Sequence, residues 1–256
     1  MSRKPVSEVA PGIFQILGYK RSAHCYVIKG SRRNVMIDAG LPNTFDHTQD
    51  CLGQIGLRPQ DISLVLLTHE HIDHAGGAAL MPAQCMVAAH RLAANKLALK
   101  DEFSLMNHAF SIETDHFDVD LCLEQGSVID LGSHQLEVIH TPGHCSGAIC
   151  VYERSQRALF SADTIMAEGI VGGVLGSGNV SDYVNSLRRL RSLRVDLLLP
   201  GHGRNSTMVL ESLDLGIERL ETLLHESREV FNSLKNSSHG FDSVMRSLRE
   251  LNEHQK

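Results

Sequence analysis

Apolar and polar residues in the N-terminal part of the chain alternate in short runs, which predicts β-strands separated by turns. Three such runs, GIFQIL, HCYVIKG and NVMIDAG, are divided by glycine, serine, lysine and arginine. A helix is predicted over 44–55, with Asn43 as its N-cap and Gly56 just beyond its end. The run ISLVLL at 62–67 is apolar at consecutive positions, which favours a strand covered on both faces.

The remaining elements follow the same logic. GGAAL and residues 90–100 have helical spacing, while 101–126 has mixed periodicity and is predicted to be a partly helical insertion that overhangs a site. Strands are predicted at SVIDL, HQLEVIH, AICVYE, RALFSAD and VDLLLP. SDYVNSLRRLRSL predicts a helix capped by Ser181, and a long helix starts near Met208, breaks at KNSSHG and is followed by a short terminal helix.

This order of elements predicts an α/β (α+β) fold in which two packed β-sheets are covered outside by helices. The chain shows no short internal repeat and no low-complexity linker between its two β-rich halves. We therefore expect one domain over residues 1–207, with a C-terminal helical extension at 208–256 packed on the same domain.

Composition and charge disfavour nucleic-acid-binding, secreted and membrane-spanning classes of protein. The 256 residues carry a formal net charge of −6, which gives no overall field that favours nucleic acid. The arginines within 187–194 have helical spacing and predict a solvated helix face. The six cysteines form no CxxC pair, MSRKPVSEVA lacks a secretory leader, and no apolar stretch approaches the roughly 20 residues that span a bilayer. These features predict a cytoplasmic protein with reduced thiols and no membrane partner.

Ionisable side chains are crowded directly after the strand ISLVLL, in the segment THEHIDH at 68–74. The i, i+2 spacing of His69 and His71 suits an extended segment and lets both side chains point at one position. Asp73 and His74 would then turn toward a neighbouring position. Imidazole nitrogens and carboxylate oxygens are the ligands expected for zinc and related first-row metals, so this segment predicts a metal site.

Three later polar residues also follow predicted strands within small-residue loops. They are His144 in TPGHCSG, Asp163 in LFSADT and His202 in LLLPGHG. Loops at strand ends commonly carry functional groups. Each of these residues alone is equally well explained as a turn or capping residue, but together with THEHIDH they predict a shared site.

The four motifs together resemble the successive metal motifs of metallo-β-lactamase-fold hydrolases, particularly the glyoxalase II-like branch. The resemblance runs from about Gly12 to Gly203. It implies an αββα sandwich of two mixed β-sheets flanked by helices, with two divalent metal ions at one edge of the sheets. Zinc is the expected metal, with iron and manganese as alternatives. The family pattern assigns the first metal to His69, His71 and His144, the second metal to Asp73, His74 and His202, and the bridging role to Asp163.

The resemblance also implies a reaction, in which the two cations lower the pKa of a water molecule that attacks a carbonyl group. Asp73 is the expected catalytic residue because the equivalent aspartate in the family also orients the nucleophile. The expected partner is a small-molecule thioester, lactone or related ester. An iron-dependent, persulfide dioxygenase-like sulfur oxidoreductase, an endoribonuclease or phosphodiesterase, and a metal-binding protein without catalysis remain alternatives, and a homodimer is left open.

Several residues near these motifs are weaker candidates. Substrate contacts are predicted for polar side chains in GYKRSAH and at the start of the helix SDYVNSLRRLRSL, with surface or core roles as alternatives: Tyr19, Arg21, His24 and Tyr183. Thr68 and His140 are candidates for contacts that orient the ligands, with packing roles as alternatives. Cys145 follows His144 and is predicted to be a small buried residue.

Overall fold

The alternating runs form twelve strands in the computed structural model, which describes residues 4–112 and 117–236. The first sheet contains, in spatial order, β1 (Val6–Ala10), β2 (Ile13–Ile16), β3 (Cys25–Lys29), β4 (Asn34–Ile37), β5 (Ile62–Leu67), β6 (Met86–His90) and β7 (Leu121–Leu123). The second sheet contains β8 (Val128–Asp130), β9 (Gln135–His140), β10 (Ile149–Glu153), β11 (Ala158–Ala162) and β12 (Leu197–Pro200). Strands β1 to β4 are antiparallel and β4 to β7 parallel, so the first sheet is mixed. The second sheet is also mixed, since β8 to β11 are antiparallel and β12 lies parallel to β11.

Helices connect and cover the strands. They are α1 (Phe45–Gln54), α2 (Ile72–Ala75), α3 (Arg91–Leu99), α4 (Glu102–Leu105), α5 (Asn107–Phe110), α6 (Val180–Arg191) and α7 (Val209–Asn236). Short 3₁₀ turns occur at Pro42–Thr44, Pro59–Asp61, Gly76–Leu80 and Ala167–Gly169. Within the described residues, no helix has both the length and the apolarity that crossing a bilayer requires.

The two sheets pack face to face through the alternate side chains of their strands. Ile28, Val35 and Leu66 of the first sheet belong to the same buried cluster as Val151 and Phe160 of the second. Side chains at alternate strand positions point to one face, so each strand contributes to this core with every second residue. The remaining apolar positions face outward and require a second cover.

Helices provide that cover on both outer faces. Leu52 of α1 and Leu97 of α3 pack with Val65 on the outside of the first sheet. Leu187 of α6 and Leu213 of α7 belong to the cluster that covers the second sheet. The predicted α/β sandwich of two mixed sheets flanked by helices is therefore confirmed.

All nine predicted strands are present, and ISLVLL is β5, which is buried along almost its whole length. Strands β1, β6 and β7 were not predicted. Two predicted caps are wrong. Asn43 lies inside the turn Pro42–Thr44, so the residue at the N-cap of α1 is Thr44. The Thr44 side chain makes no capping hydrogen bond. Helix α6 is capped by Asn179, whose side chain accepts from the Asp182 amide at 3.0 Å, because Ser181 already lies inside the helix.

Other segments differ in detail from the prediction. GGAAL forms the 3₁₀ turn Gly76–Leu80 instead of an α-helix. The segment 101–126 is partly helical, as predicted, and also contributes β7 to the edge of the first sheet. Gly56 follows α1 with φ of 73°, a left-handed conformation that glycine adopts without strain and that ends the helix.

Helix α7 packs along α6 over its first turns. Val209 and Leu220 are buried in the cluster that covers the second sheet. Arg188 and Arg191 on α6 form ion pairs with Glu221 and Asp214 of α7. The arginines of 187–194 thus lie on an exposed face, where α7 supplies carboxylates. The division at residue 208 stays a prediction, and the predicted terminal helix lies outside the described residues.

Candidate metal centre

The segment THEHIDH changes conformation halfway along its length. It leaves β5 at Leu67, and its backbone is extended at His71, which has φ of −63° and ψ of 141°. The single-turn helix α2 then begins at Ile72 and contains Asp73 and His74. This change of backbone separates the two pairs of side chains, as the spacing predicts.

Three imidazoles meet in the first group of donors. His69 Nε2 lies 3.0 Å from His71 Nδ1, which in turn lies 3.0 Å from His144 Nε2. Ligand nitrogens around a tetrahedral zinc ion are separated by roughly 3.3 Å, given Zn–N distances of about 2.0–2.1 Å. These two separations are therefore close to those of a three-histidine metal site, and all three nitrogens lie within 4.8 Å of one another.

A second group of donors adjoins the first. His202 Nε2 is 3.1 Å from Asp73 Oδ2, and His74 Nε2 is 3.8 Å from the same oxygen. Asp163 lies between the groups, because its Oδ1 is 3.3 Å from His74 Nε2 and its Oδ2 is 3.7 Å from His144 Nε2. The structure thus brings all seven predicted ligands together from four separate loops.

Two buried atoms of this centre test whether a metal fits. His74 Nε2 and Asp163 Oδ1 face each other, yet neither has a hydrogen-bond partner among the described residues. An unsatisfied buried polar atom costs about 1–3 kcal/mol, and a cation that both atoms ligate would remove that cost. Neutral imidazoles with carboxylates form the donor set of zinc and similar divalent ions, so the residues fit such ions.

Protonation differs between the two groups. Burial lowers the pKa of His71 to about 3, with a further contribution from His144, and burial also lowers the pKa of His69. Their lone pairs are therefore free at neutral pH. Burial would lower the pKa of His74 as well, but Asp163, Asp73 and another buried aspartate raise it. For Asp163, burial would raise the pKa, but His74 holds it below its usual value.

The further aspartate that faces His74 is Asp38, which the sequence analysis missed. Its Oδ2 accepts hydrogen bonds from His74 Nδ1 and Thr68 Oγ1, both at 2.8 Å. Its Oδ1 accepts from the Thr68 amide at 2.8 Å, and the Thr68 hydroxyl lies 3.0 Å from His69 Nδ1. A carboxylate on Nδ1–H fixes the tautomer that leaves Nε2 free for a metal. Thr68 thus has the contact proposed for it.

A signal for Asp38 is present in the sequence. Asp38 follows β4, which is parallel to β5 and pairs Ile37 with Leu66. Carboxyl ends of neighbouring parallel strands lie at one edge of a sheet, so an aspartate at the end of NVMID necessarily lies beside Thr68. NVMID resembles no metal motif, so Asp38 becomes apparent only from the pairing of β4 with β5.

Other polar contacts hold the remaining ligands. His144 Nδ1 donates to the Gly173 carbonyl at 2.6 Å, which leaves Nε2 for the first group. Tyr183 is completely buried, and its hydroxyl is directed at the Asp163 and Thr164 carbonyl oxygens at 2.8 and 2.9 Å. Holding the Asp163 loop therefore replaces substrate contact as our interpretation of Tyr183.

Tyr19 and Arg21, the candidate substrate contacts in the loop before β3, have different surroundings. Tyr19 is exposed and stacks on His47 with ring centroids 5.3 Å apart. Arg21 lies over the Phe110 ring at 4.3 Å and donates to the Ala109 carbonyl at 2.9 Å, which ties the loop before β3 to α5. Substrate contacts by Tyr19 and Arg21 stay predictions.

Further residues flank the loops of the centre. The His140 ring stacks on His90 with centroids 3.9 Å apart and donates to the Ser146 carbonyl at 2.9 Å, so the ring supports the main chain of the His144 loop. Cys145 is buried, as predicted, and donates to Glu70 Oε2 at 3.3 Å. Burial first, and then Glu70, raise the pKa of this thiol well above its usual value, so it stays protonated.

Comparison with known proteins places the chain in a family. The model of the metallo-beta-lactamase superfamily matches residues 18–202, which include all seven candidate ligands. The chain therefore belongs to the metallo-beta-lactamase superfamily. The glyoxalase II-like branch within it stays a prediction.

Two curated relatives have informative names. The chain is 35% identical over 205 residues to the acyl-coenzyme A thioesterase MBLAC2 of Gallus gallus, covering 70% of this chain and 72% of that protein. It is 31% identical over 198 residues to a probable metallo-hydrolase of Methanocaldococcus jannaschii, covering 75% of this chain and 92% of that protein.

Solved structures support the fold. A metallo-beta-lactamase family protein of Thermus thermophilus superposes with a TM-score of 0.71 at 19% identity, over 90% of this chain and 84% of that chain. The subclass B3 metallo-beta-lactamase BJP-1 of Bradyrhizobium japonicum gives 0.70 at 20% identity, over 89% and 96%. At these identities the likeness shows the fold alone.

Proposed function

We propose that the chain is a metal-dependent thioesterase that binds two divalent ions, zinc being the expected metal, and hydrolyses acyl-coenzyme A or a similar acyl thioester. The observation that carries the proposal is the arrangement of seven donors in two adjoining groups with Asp163 between them. The choice of thioester over other esters is supported by the name of the MBLAC2 relatives.

Divalent ions held by these residues supply Lewis acidity, which lowers the pKa of water and polarises a carbonyl oxygen. In the proposed reaction a water molecule adds to the thioester carbonyl and the carbon–sulfur bond breaks, giving a carboxylic acid and a thiol. Asp73 has the role of orienting this water. Burial would raise the pKa of Asp73, but His74 and the hydrogen bond to His202 hold it below its usual value, so the carboxylate stays ionised and accepts hydrogen bonds.

Asp38 and Thr68 contribute by orienting two ligands, His74 and His69, so that Nδ1 of each ring is held by a hydrogen bond and Nε2 faces the metal site. Asp38 holds the Nδ1 proton of His74, and the Thr68 hydroxyl connects Asp38 to His69. Both chains of hydrogen bonds are buried, so water does not compete for them. The donor atoms are therefore oriented before a metal binds, which reduces the reorganisation that binding requires.

The alternative reactions receive less support from the structure. An endoribonuclease binds a polyanion, yet Arg188 and Arg191 of the arginine-rich helix are paired with carboxylates of α7. A persulfide dioxygenase-like oxidoreductase uses one iron held by two histidines and an aspartate. The second group of donors in this chain exceeds what a single iron requires.

The test combines metal content with hydrolysis. Asp163→Ala removes the carboxylate between the groups, and Asp50→Ala, an exposed position on α1, is the matched control. Each protein is loaded with zinc, its metal is counted by elemental analysis, and thiol release from acyl-coenzyme A is followed. We expect two ions and hydrolysis in the wild type and the control, and fewer than two ions with loss of hydrolysis in Asp163→Ala.

Other results would contradict the proposal. Unchanged turnover in Asp163→Ala would show that hydrolysis does not require the carboxylate between the two groups of donors. A fully loaded wild type that hydrolyses acyl-homoserine lactones or phosphodiesters but no thioester would reassign the substrate. One iron per chain with oxygen consumption on a persulfide would establish the oxidoreductase instead.

A further inference from the structure

The second group of donors is assembled from both sheets. Asp73 and His74 follow β5 of the first sheet, whereas His202 follows β12 of the second. The 3.1 Å separation of His202 Nε2 and Asp73 Oδ2 therefore depends on how the loop after β12 is held against the first sheet.

Side chains of the first sheet hold that loop at both ends. Tyr26 on β3 donates its hydroxyl to the Pro200 carbonyl at 2.7 Å. Gln15 on β2 and Asn205 exchange amide hydrogen bonds of 2.9 and 3.2 Å. Tyr26 and Gln15 are both buried, so these bonds are protected from water.

His24 lies between these two attachments and uses its main chain and both ring nitrogens. Its main-chain amide donates to the Gly201 carbonyl at 2.7 Å. Its Nδ1 accepts from the Gly18 amide at 2.8 Å, so the ring proton is on Nε2, which donates to the Gly203 carbonyl at 2.9 Å. The two carbonyls belong to the residues immediately before and after His202.

The same segment also contacts the other member of the pair. The amide of Ala23 donates to the main-chain carbonyl of Asp73 at 3.1 Å. Residues 23 and 24 are thus bonded to the backbone on both sides of the Asp73–His202 pair. The imidazole of His24 lies 6.5 Å from that of His202, centroid to centroid, so it acts on the backbone of the loop.

We propose that His24 is a positioning residue that sets the separation of His202 from Asp73 and thereby the affinity for the second metal ion. The proposal rests on the two-metal centre of the proposed function. The first group is oriented by other bonds, from His144 to Gly173 and from His69 to Thr68. Loss of His24 therefore weakens the second ion selectively.

The experiment is a calorimetric titration of the metal-free protein with zinc. His24→Leu removes both ring hydrogen bonds, His24→Gln retains an amide N–H for the Gly203 carbonyl, and His225→Leu on the exposed part of α7 is the control. We expect the second-ion affinity of His24→Leu to fall about 10–100-fold, as for other residues that orient ligands. The first-ion affinity is unchanged, and His24→Gln recovers part of the loss.

Each contrary outcome is distinct. Wild-type affinity for both ions in His24→Leu, or an equal loss for both ions, overturns the positioning role. A wild type that binds one ion refutes the two-metal centre before any variant is compared. If His24→Leu does not fold, His24→Asn keeps an acceptor for the Gly18 amide and removes only the bond to the Gly203 carbonyl. A selective, smaller loss of affinity for the second ion then supports the proposal, and no loss overturns it.

Discussion

Asp38 offers the sharpest test of how the centre is organised, because one isosteric change alters the tautomer of a ligand. In Asp38→Asn the amide oxygen can still accept from the Thr68 amide, as Asp38 Oδ1 does at 2.8 Å. The new NH₂ group then faces His74 Nδ1, which in the wild type donates to Oδ2 at 2.8 Å. His74 must accept at Nδ1 and carry its proton on Nε2, the atom directed at Asp163.

The size of the effect follows from these contacts. The NH₂ group cannot accept either of the two hydrogen bonds that Asp38 Oδ2 accepts, from His74 Nδ1 and Thr68 Oγ1, and loss of each charge-assisted bond costs the metal-free protein roughly 1.5–3 kcal/mol of unfolding free energy. Asp38 has φ of 56°, and asparagine adopts this left-handed conformation readily, so no backbone strain is added. Metal affinity falls about 10–100-fold, the range measured when a partner of a ligating histidine is removed.

Competition with a metal indicator measures the affinity, and denaturant unfolding of the metal-free protein measures the stability. Asp50→Asn repeats the same chemical change at an exposed position of α1 and should leave both quantities at wild-type values. Wild-type zinc affinity in Asp38→Asn would refute the claim that Asp38 fixes the His74 tautomer.

Three further changes test other contacts. Gly201→Ala places a Cβ 2.6 Å from His74 Cε1 and 2.9 Å from Asp163 Oδ1, so we expect less than two bound zinc ions by elemental analysis. Tyr183→Phe removes the hydroxyl that the Asp163 and Thr164 carbonyls share, while the Asp163 carbonyl keeps the Gly172 amide at 2.9 Å, and denaturant unfolding should show a loss of about 1–2 kcal/mol. His90 has its pKa lowered from 6.5 to about 4 by burial and by His140. Between about pH 6.5 and pH 4 the unfolded chain binds a proton at His90 that the folded protein does not, so stability falls as the pH falls through this range, and His90→Asn should reduce the dependence of Tm on pH there.

Each of these expectations has a clear counter-result. Two tightly bound ions in Gly201→Ala would show that the loop after β12 shifts to accommodate the methyl group without a loss of metal affinity. Tyr183→Phe with wild-type stability would show that water replaces the phenol at both carbonyls. An unchanged acid slope in His90→Asn would show that another group accounts for the loss of stability.

The grouping of the seven candidate ligands was predictable because each of them follows an apolar run. An apolar run followed directly by a short polar loop is a local sequence pattern. It is present at THEHIDH, His144, Asp163 and His202. The nine strands with strong apolar patterns could be predicted from the sequence in the same way. Strands β1, β6 and β7 were missed for local reasons. Ser7 and Glu8 are exposed polar residues within β1, the alanines of β6 run into the helical spacing of 90–100, and β7 lies within the mixed periodicity of 101–126.

Contacts between segments that are distant in the sequence could not be predicted from local patterns. Asp38 carries no motif, and its role appears only when β4 lies beside β5. Tyr183 was a candidate substrate contact, yet α6 places it under the Asp163 loop. His24 was another such candidate, yet its ring bonds to the main chain beside His202, in a segment distant from it in the sequence. Such residues depend on which loops meet, and this is a property of the whole fold.

The most direct test of the proposed two-metal thioesterase activity is a stepwise titration of metal-free protein with zinc while thiol release from acyl-coenzyme A is recorded. Because Asp163 lies between both groups of donors and Asp73 belongs to the second, the account predicts that hydrolysis rises mainly with the second equivalent. Full hydrolysis at one equivalent, or none with two ions bound, would contradict it.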